Sequence, residues 1–159
     1  MYDIGDKVVY PQHGAGTIVD EEEMDFLGEM RKYFILHIPI DDIRVMIPVD
    51  SMEESGIRRI LSVEEMDEII YVLKENKTKM SANWNHRYRN NMDKIKGGNI
   101  EEIAEVARNL EILDSEKSLS TGERKMLNSA KQILISEMML VYDIEFSEAE
   151  SKLMDAIHL

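Results

Sequence analysis

The chain contains no cysteine, which removes disulfides, thiolate zinc sites, Cys-x-x-Cys redox chemistry and a thiol nucleophile together. Stability must come from a packed core, and 159 residues are enough to bury about 70% of the unfolded surface. Long apolar runs are missing as well; none approaches the ~20 residues that span a bilayer. The opening Met1-Tyr2-Asp3-Ile4-Gly5-Asp6 has neither a basic n-region nor an apolar h-region, so a soluble cytoplasmic protein without membrane contact is expected. Positive charge is also scarce: 19 Lys and Arg face 32 Asp and Glu, a net charge of −13. Such a surface repels nucleic acid and anionic lipid over most of its extent. Any DNA contact therefore needs a partner to hold it in place.

Two hydrophobic periods divide what is there. Lys7–Tyr10, Thr17–Val19, Tyr33–Ile38 and Val45–Val49 are short β-branched and aromatic runs punctuated by Gly, Pro and acidic residues, which predicts a small antiparallel sheet or barrel with Tyr33–Ile38 as its central strand. Gly14-x-Gly16 lacks a third glycine and a following helix, so it reads as a tight turn rather than a nucleotide loop. The acids from Asp20 to Asp25 read as solvated charge between strands. After Asp50 the pattern becomes helical. Ser62-x-x-Glu65, Asn99-x-x-Glu102, Ser120-x-x-Glu123 and Ser147-x-x-Glu150 each set a capping side chain three residues before Glu, ahead of apolar stripes at helical spacing. A further helix is predicted from about Asn83 to Lys96, stopped by Gly97-Gly98. We expect an α+β chain: an antiparallel β module over residues 1–52, a junction at Asp50–Gly56, and an all-helical domain of about five helices over residues 57–159.

The scarce positive charge is not spread evenly. Between Tyr71 and Ile100 there are seven basic side chains (Lys74, Lys77, Lys79, Arg87, Arg89, Lys94, Lys96) against Glu75 and Asp93, and the single tryptophan, Trp84, lies among them. On a helix Trp84, Tyr88, Met92 and Ile95 share one face, which suits a core stripe headed by an aromatic. The same residues suit an exposed wedge. Trp84 would sit in the first turn, Arg87 and Lys94 would flank the stripe on one side and Arg89 and Lys96 on the other, and Asn83, Asn85 and His86 would add uncharged hydrogen-bonding groups.

Asn83-Trp84-Asn85-His86-Arg87-Tyr88-Arg89, then Lys94-Ile95-Lys96-Gly97-Gly98-Asn99, Ile103–Leu110 and Leu119–Leu127, in this order, resemble the helical domain of the CarD family of bacterial transcription regulators. Gly5-Asp6-Lys7-Val8-Val9-Tyr10-Pro11-Gln12-His13-Gly14-Ala15-Gly16 resembles that family's N-terminal module, a Tudor-like domain shared with the transcription-repair coupling factor. The resemblance implies a protein that binds the β subunit of RNA polymerase and is thereby delivered to promoter DNA. There a tryptophan, here Trp84, would enter the minor groove at the upstream edge of the bubble and disfavour its closing. Arg87, Arg89, Asn83, His86, Lys79 and Lys94 are the other expected DNA contacts, and His86 stands where many members have a basic residue. For the polymerase surface the expected residues are Arg44, Met46, Met24, Arg31 and Ile47. Met24 and Met46 occupy positions where some members carry arginine, for which Arg31 and Arg44 would compensate. Edge-strand addition is one mode of docking that tolerates such changes.

Other chemistries have little support. His13, His37, His86 and His158 are scattered without an i, i+4 pair, so no metal site is expected. The acidic clusters have no companion base, so neither catalysis nor a cofactor or small-molecule substrate is expected. Two readings stay open: a DNA-contacting transcription regulator, and a polymerase- or helicase-binding adaptor in which Trp84 is buried.

Overall fold

The computed structural model describes residues 1–11 and 13–159. Five strands, β1 (Lys7–Tyr10), β2 (Gly14–Phe26), β3 (Glu29–Ile38), β4 (Ile43–Pro48) and β5 (Arg58–Arg59), form one antiparallel sheet ordered β4-β3-β2-β1-β5. Five helices follow: α1 (Val63–Lys74), α2 (Trp84–Gly97), α3 (Ile100–Glu116), α4 (Thr121–Tyr142) and α5 (Phe146–His158). The fold is α+β, as the change of period predicts.

The sheet departs from the expectation in instructive ways. Its central strand is β2, with Tyr33–Ile38 in the neighbouring β3. The acids Asp20–Asp25 lie within β2, not between strands: a bulge at Val19 shifts the register from Ile18↔Leu36 to Asp20↔Ile35, and pairing then runs out to Phe26↔Glu29. Opposite charges face each other there, as in Glu23↔Lys32, which supports a ribbon with little core beneath it. Leu27 and Gly28 close the hairpin with φ of 54° and 86°, the left-handed pair that matches strand twist in a two-residue turn. Strand β5 lies beyond the expected 52/57 boundary and returns to the outer edge of β1. On the inner face Val8, Ile18, Phe34, Leu36, Ile38 and Ile47 form a core closed by Met52 and Ile57.

Gly14 and Gly16 do more than turn the chain. Gly14 closes the β1–β2 hairpin at φ 114°, and a Cβ there would lie 2.8 Å from the Ser136 Oγ of α4. A Cβ on Gly16 would lie 2.4 Å from the His37 carbonyl oxygen. The two glycines thus permit close approach to a helix and to the neighbouring strand.

In the helical domain the caps at Ser62, Asn99 and Ser120 all form. Ser147 does not cap α5: that helix starts at Phe146 after Glu145, without a side-chain cap. Asp143 ends α4 in a left-handed conformation, and Ile144 and Phe146 pack on the core immediately afterwards. Burial of those two side chains fixes the start of α5 ahead of the Ser147 motif. The link from α1 to α2 is pinned from α3. Buried Arg108 donates to the Val72 carbonyl at 2.8 Å, and Asn109 Nδ2 donates to Thr78 Oγ1 at 2.9 Å.

The two parts are joined by more than the chain. Ala15 N–H donates to Ser136 Oγ at 3.0 Å. Glu137, wholly buried on α4, accepts Arg58 Nη1 and Nη2 at 2.8 and 2.7 Å and the Leu61 N–H at 2.9 Å. We expect Arg58→Ala to strand this carboxylate and lower the stability by about 2–3 kcal/mol, measured by urea unfolding. A loss below about 0.5 kcal/mol, the level of an ordinary surface change, would show that the pair does not tie sheet to helix.

Candidate nucleic-acid interface

Helix α2 begins where Asn83 Oδ1 accepts the His86 N–H at 3.1 Å, which puts Trp84 at the first helical position. The indole stacks on Tyr88, ring centroids 4.9 Å apart and planes 18° from parallel, and its Nε1–H donates to Ser120 Oγ at 3.1 Å. That same Oγ caps α4 by accepting the Glu123 N–H at 3.2 Å. Trp84 is nevertheless 41% exposed. It is therefore neither a core residue nor a free-swinging wedge: one ring face and one edge are fixed, and the rest meets solvent.

Glu123 continues the network. Its carboxylate is buried and accepts Arg87 Nε at 2.7 Å and Nη2 at 3.0 Å, while Arg87 Nη1 donates to the Ser81 carbonyl at 3.3 Å. The hydrogen bond from Arg87 to Glu123 raises the guanidinium pKa above its ordinary value, so this cation stays charged in place. Its side chain is only 17% exposed. Arg87, expected to meet a phosphate, is committed to holding α2 against α4. Lys94, on the same flank, approaches Glu105 of α3 at 3.8 Å.

The other flank is open. Arg89 and Lys96 are exposed, have no ion pair among the described residues, and line one groove with Trp84, Asn85, Tyr88 and Met92. Asn83 and His86 are exposed in the same first turn. Lys79 is exposed in the α1–α2 link. The expected set thus divides: Trp84, Arg89, Asn83 and His86 gather at one end of α2, whereas Arg87 and Lys94 turn to neighbouring helices. Ser120 and Glu123 are readable from sequence only as a cap. Nothing local signals that Glu123 takes Arg87, 36 residues away.

In the sheet, Met24 pairs with Arg31, and Met46 and Arg44 pair with Ile35 and His37. Alternation along β3 sets all four expected residues on one face, where Arg31 also lies 5.3 Å over the Phe26 ring. Ile47 points the other way; at 2% exposure it is core, which corrects its expected role as a surface contact. β4 is the edge strand beside this face.

Residues 2–61 match the family described as CarD-like/TRCF RID domain, and residues 68–154 match CarD, C-terminal domain. The chain is also 38% identical over 151 residues to a Bacillus subtilis (strain 168) protein named "Putative transcription factor YdeB", covering 95% of this chain and 99% of that one. The two modules, in this order, define a transcription regulator built in two parts. The chain belongs to the CarD family.

Ser120→Ala removes both the α4 cap and the acceptor of the indole N–H. Stability is expected to fall by about 1 kcal/mol, and fluorescence of the single tryptophan to become more readily quenched by acrylamide. Unchanged quenching would refute the anchoring role of Ser120.

Proposed function

We propose that this CarD-family regulator binds the β subunit of RNA polymerase through its sheet and stabilises the open promoter complex by setting Trp84 into the minor groove at the upstream edge of the bubble. It acts by binding and not by catalysis, in the cytoplasm, on DNA already held by polymerase. The observation that carries this reading is Trp84 itself: a half-exposed indole, anchored on Tyr88 and Ser120, beside cations that have no ion pair among the described residues in a chain of net charge −13.

The physics favours a fork over intact duplex. Inserting a ring between base steps costs a few kcal/mol of stacking, least where the DNA is already distorted. An indole already ordered by its neighbours loses little freedom on binding, so more of the contact energy is available to hold the bubble open. Arg89 supplies backbone attraction without reading bases. Because the rest of the surface repels DNA, the sheet must supply the tether. Its face of Met24, Arg31, Arg44 and Met46, beside the unpaired edge of β4, suits docking by strand addition with side-chain contacts alongside. Arg87 serves the wedge indirectly, through Glu123.

The test is the lifetime of open complexes formed by the source organism's polymerase with no factor, with the wild type and with Trp84→Ala. We expect the wild type to lengthen it by about tenfold, the equivalent of roughly 1.4 kcal/mol, and Trp84→Ala to lose that gain while still binding polymerase. Arg89→Glu should lose most of it and weaken the salt dependence. Equal action of wild type and Trp84→Ala would mean that the protein is an adaptor with a structural tryptophan; absence of polymerase binding would remove the docking half.

A further inference from the structure

Beyond Trp84 the surface between α2 and α4 is hollow. One hollow of about 280 Å³ opens on α2 beside Trp84, Arg89 and Met92, and a second of about 250 Å³ lies between Met92 and the α4 residues Gly122, Lys125 and Ser129. Tyr88, Met92 and Lys96, one row along α2, line both: the first hollow lies on α2 alone, and the second is the groove between α2 and α4. We propose that this groove seats an unpaired base of the single strand released at the fork, with Lys96 and Lys125 on its phosphates. The inference rests on the wedge reading and adds a second site to it.

Three observations converge. The floor is apolar and polarisable: Tyr88 and Met92 from α2 and Met126 from α4, surfaces that accept any base through its flat face. The rim is cationic. Arg89, Lys96 and Lys125 have no ion-pair partner among the described residues, whereas Arg87, Lys94 and Arg124 nearby are all paired with carboxylates. In so acidic a chain a run of unpaired cations along an apolar groove complements a polyanion. The one acid of the lining is Asp93, in the cavity beside Trp84, which directs phosphate toward Lys96 and Lys125.

Size and position select the occupant. At about 250 Å³ the groove lies just below the range of about 300 to 1,000 Å³ of ligand sites in general, which leaves room for one planar group and not for a duplex. Trp84 stands beside Gly122 at one end of the groove, so a base unpaired at the wedge lies near its mouth. Gly122 brings α4 against the stacked rings: a Cβ there would stand in van der Waals contact, 3.4 Å from Tyr88 Cε2 and 3.7 Å from Trp84 Cζ2.

The experiment compares binding of the full chain, at low ionic strength, to two fluorescein-labelled DNAs: a short blunt duplex, and the same duplex ending in an unpaired fork. Fluorescence anisotropy is read for wild type, Trp84→Ala, Lys125→Ala and Ser129→Tyr; the last two alter exposed residues of the second cavity, away from the indole. We expect the wild type to prefer the fork by about tenfold, and Lys125→Ala and Ser129→Tyr to lose most of that preference without weakening blunt-duplex binding. If both variants bind the fork as the wild type does while Trp84→Ala does not, the groove is not a base site and the wedge stands. If Trp84→Ala keeps the fork preference and Lys125→Ala loses it, the groove stands and the wedge falls. Failure of the wild type to prefer the fork would overturn the groove as a base site, while the wedge, which polymerase holds on DNA, is decided by the open-complex lifetimes.

Discussion

Two buried carboxylates on one helix organise this protein. Glu123 and Glu137 both lie on α4, and each receives a bidentate arginine from a different element: Arg87 of α2 and Arg58 of β5. A buried carboxylate without its partner is strongly unfavourable, whereas a paired and fully hydrogen-bonded one specifies which surfaces must meet. Serines add to both junctions, Ser120 on the indole and Ser136 on the backbone of Ala15. The tryptophan and the sheet are thus fastened to the same rod, with the two carboxylates about 21 Å apart along its axis. The junction at Asp50–Gly56 is therefore not the only restraint on the relative placement of the two parts.

The same arrangement explains why a strongly acidic protein presents a small cationic site. Carboxylates neutralise the arginine and lysines that lie on inter-helix seams, Arg87 by Glu123, Lys94 by Glu105 and Lys131 by Glu111. Arg89, Lys96 and Lys125 escape because they stand on the open side of α2 and α4. The local field at the groove depends on this sorting, not on the count of basic residues in the segment.

Local signals were legible and distant ones were not. The caps at Ser62, Asn99 and Ser120, and the stop at Gly98, depend on a few neighbouring residues, so motif and structure coincide. Trp84 could be located on α2, but its half-exposure arises from Tyr88 and from a serine on another helix. Arg87 looks like a surface cation in its own segment; only tertiary packing brings Glu123 to it. Ile47 alternates with Met46, and without the register nothing shows which of the two faces inward. The acids of Asp20–Asp25 read as loop because strand propensity is low there, yet the bulge and the cross-strand pairs continue the ladder through them.

The ribbon at the far end of β2 and β3 bears on how the protein behaves as a solute. Met24, Phe26, Leu27 and Met30 are all exposed at its tip, among Glu21, Glu22, Glu23, Asp25 and Glu29. Repulsion between those carboxylates keeps two such tips apart in neutral solution, as charged residues do beside exposed strands elsewhere. Under salt that screens them, the apolar side chains remain and the repulsion fades. Self-association would then begin at the hairpin while the core stays folded, so the acidic stretch acts as a colloidal stabiliser built into the chain.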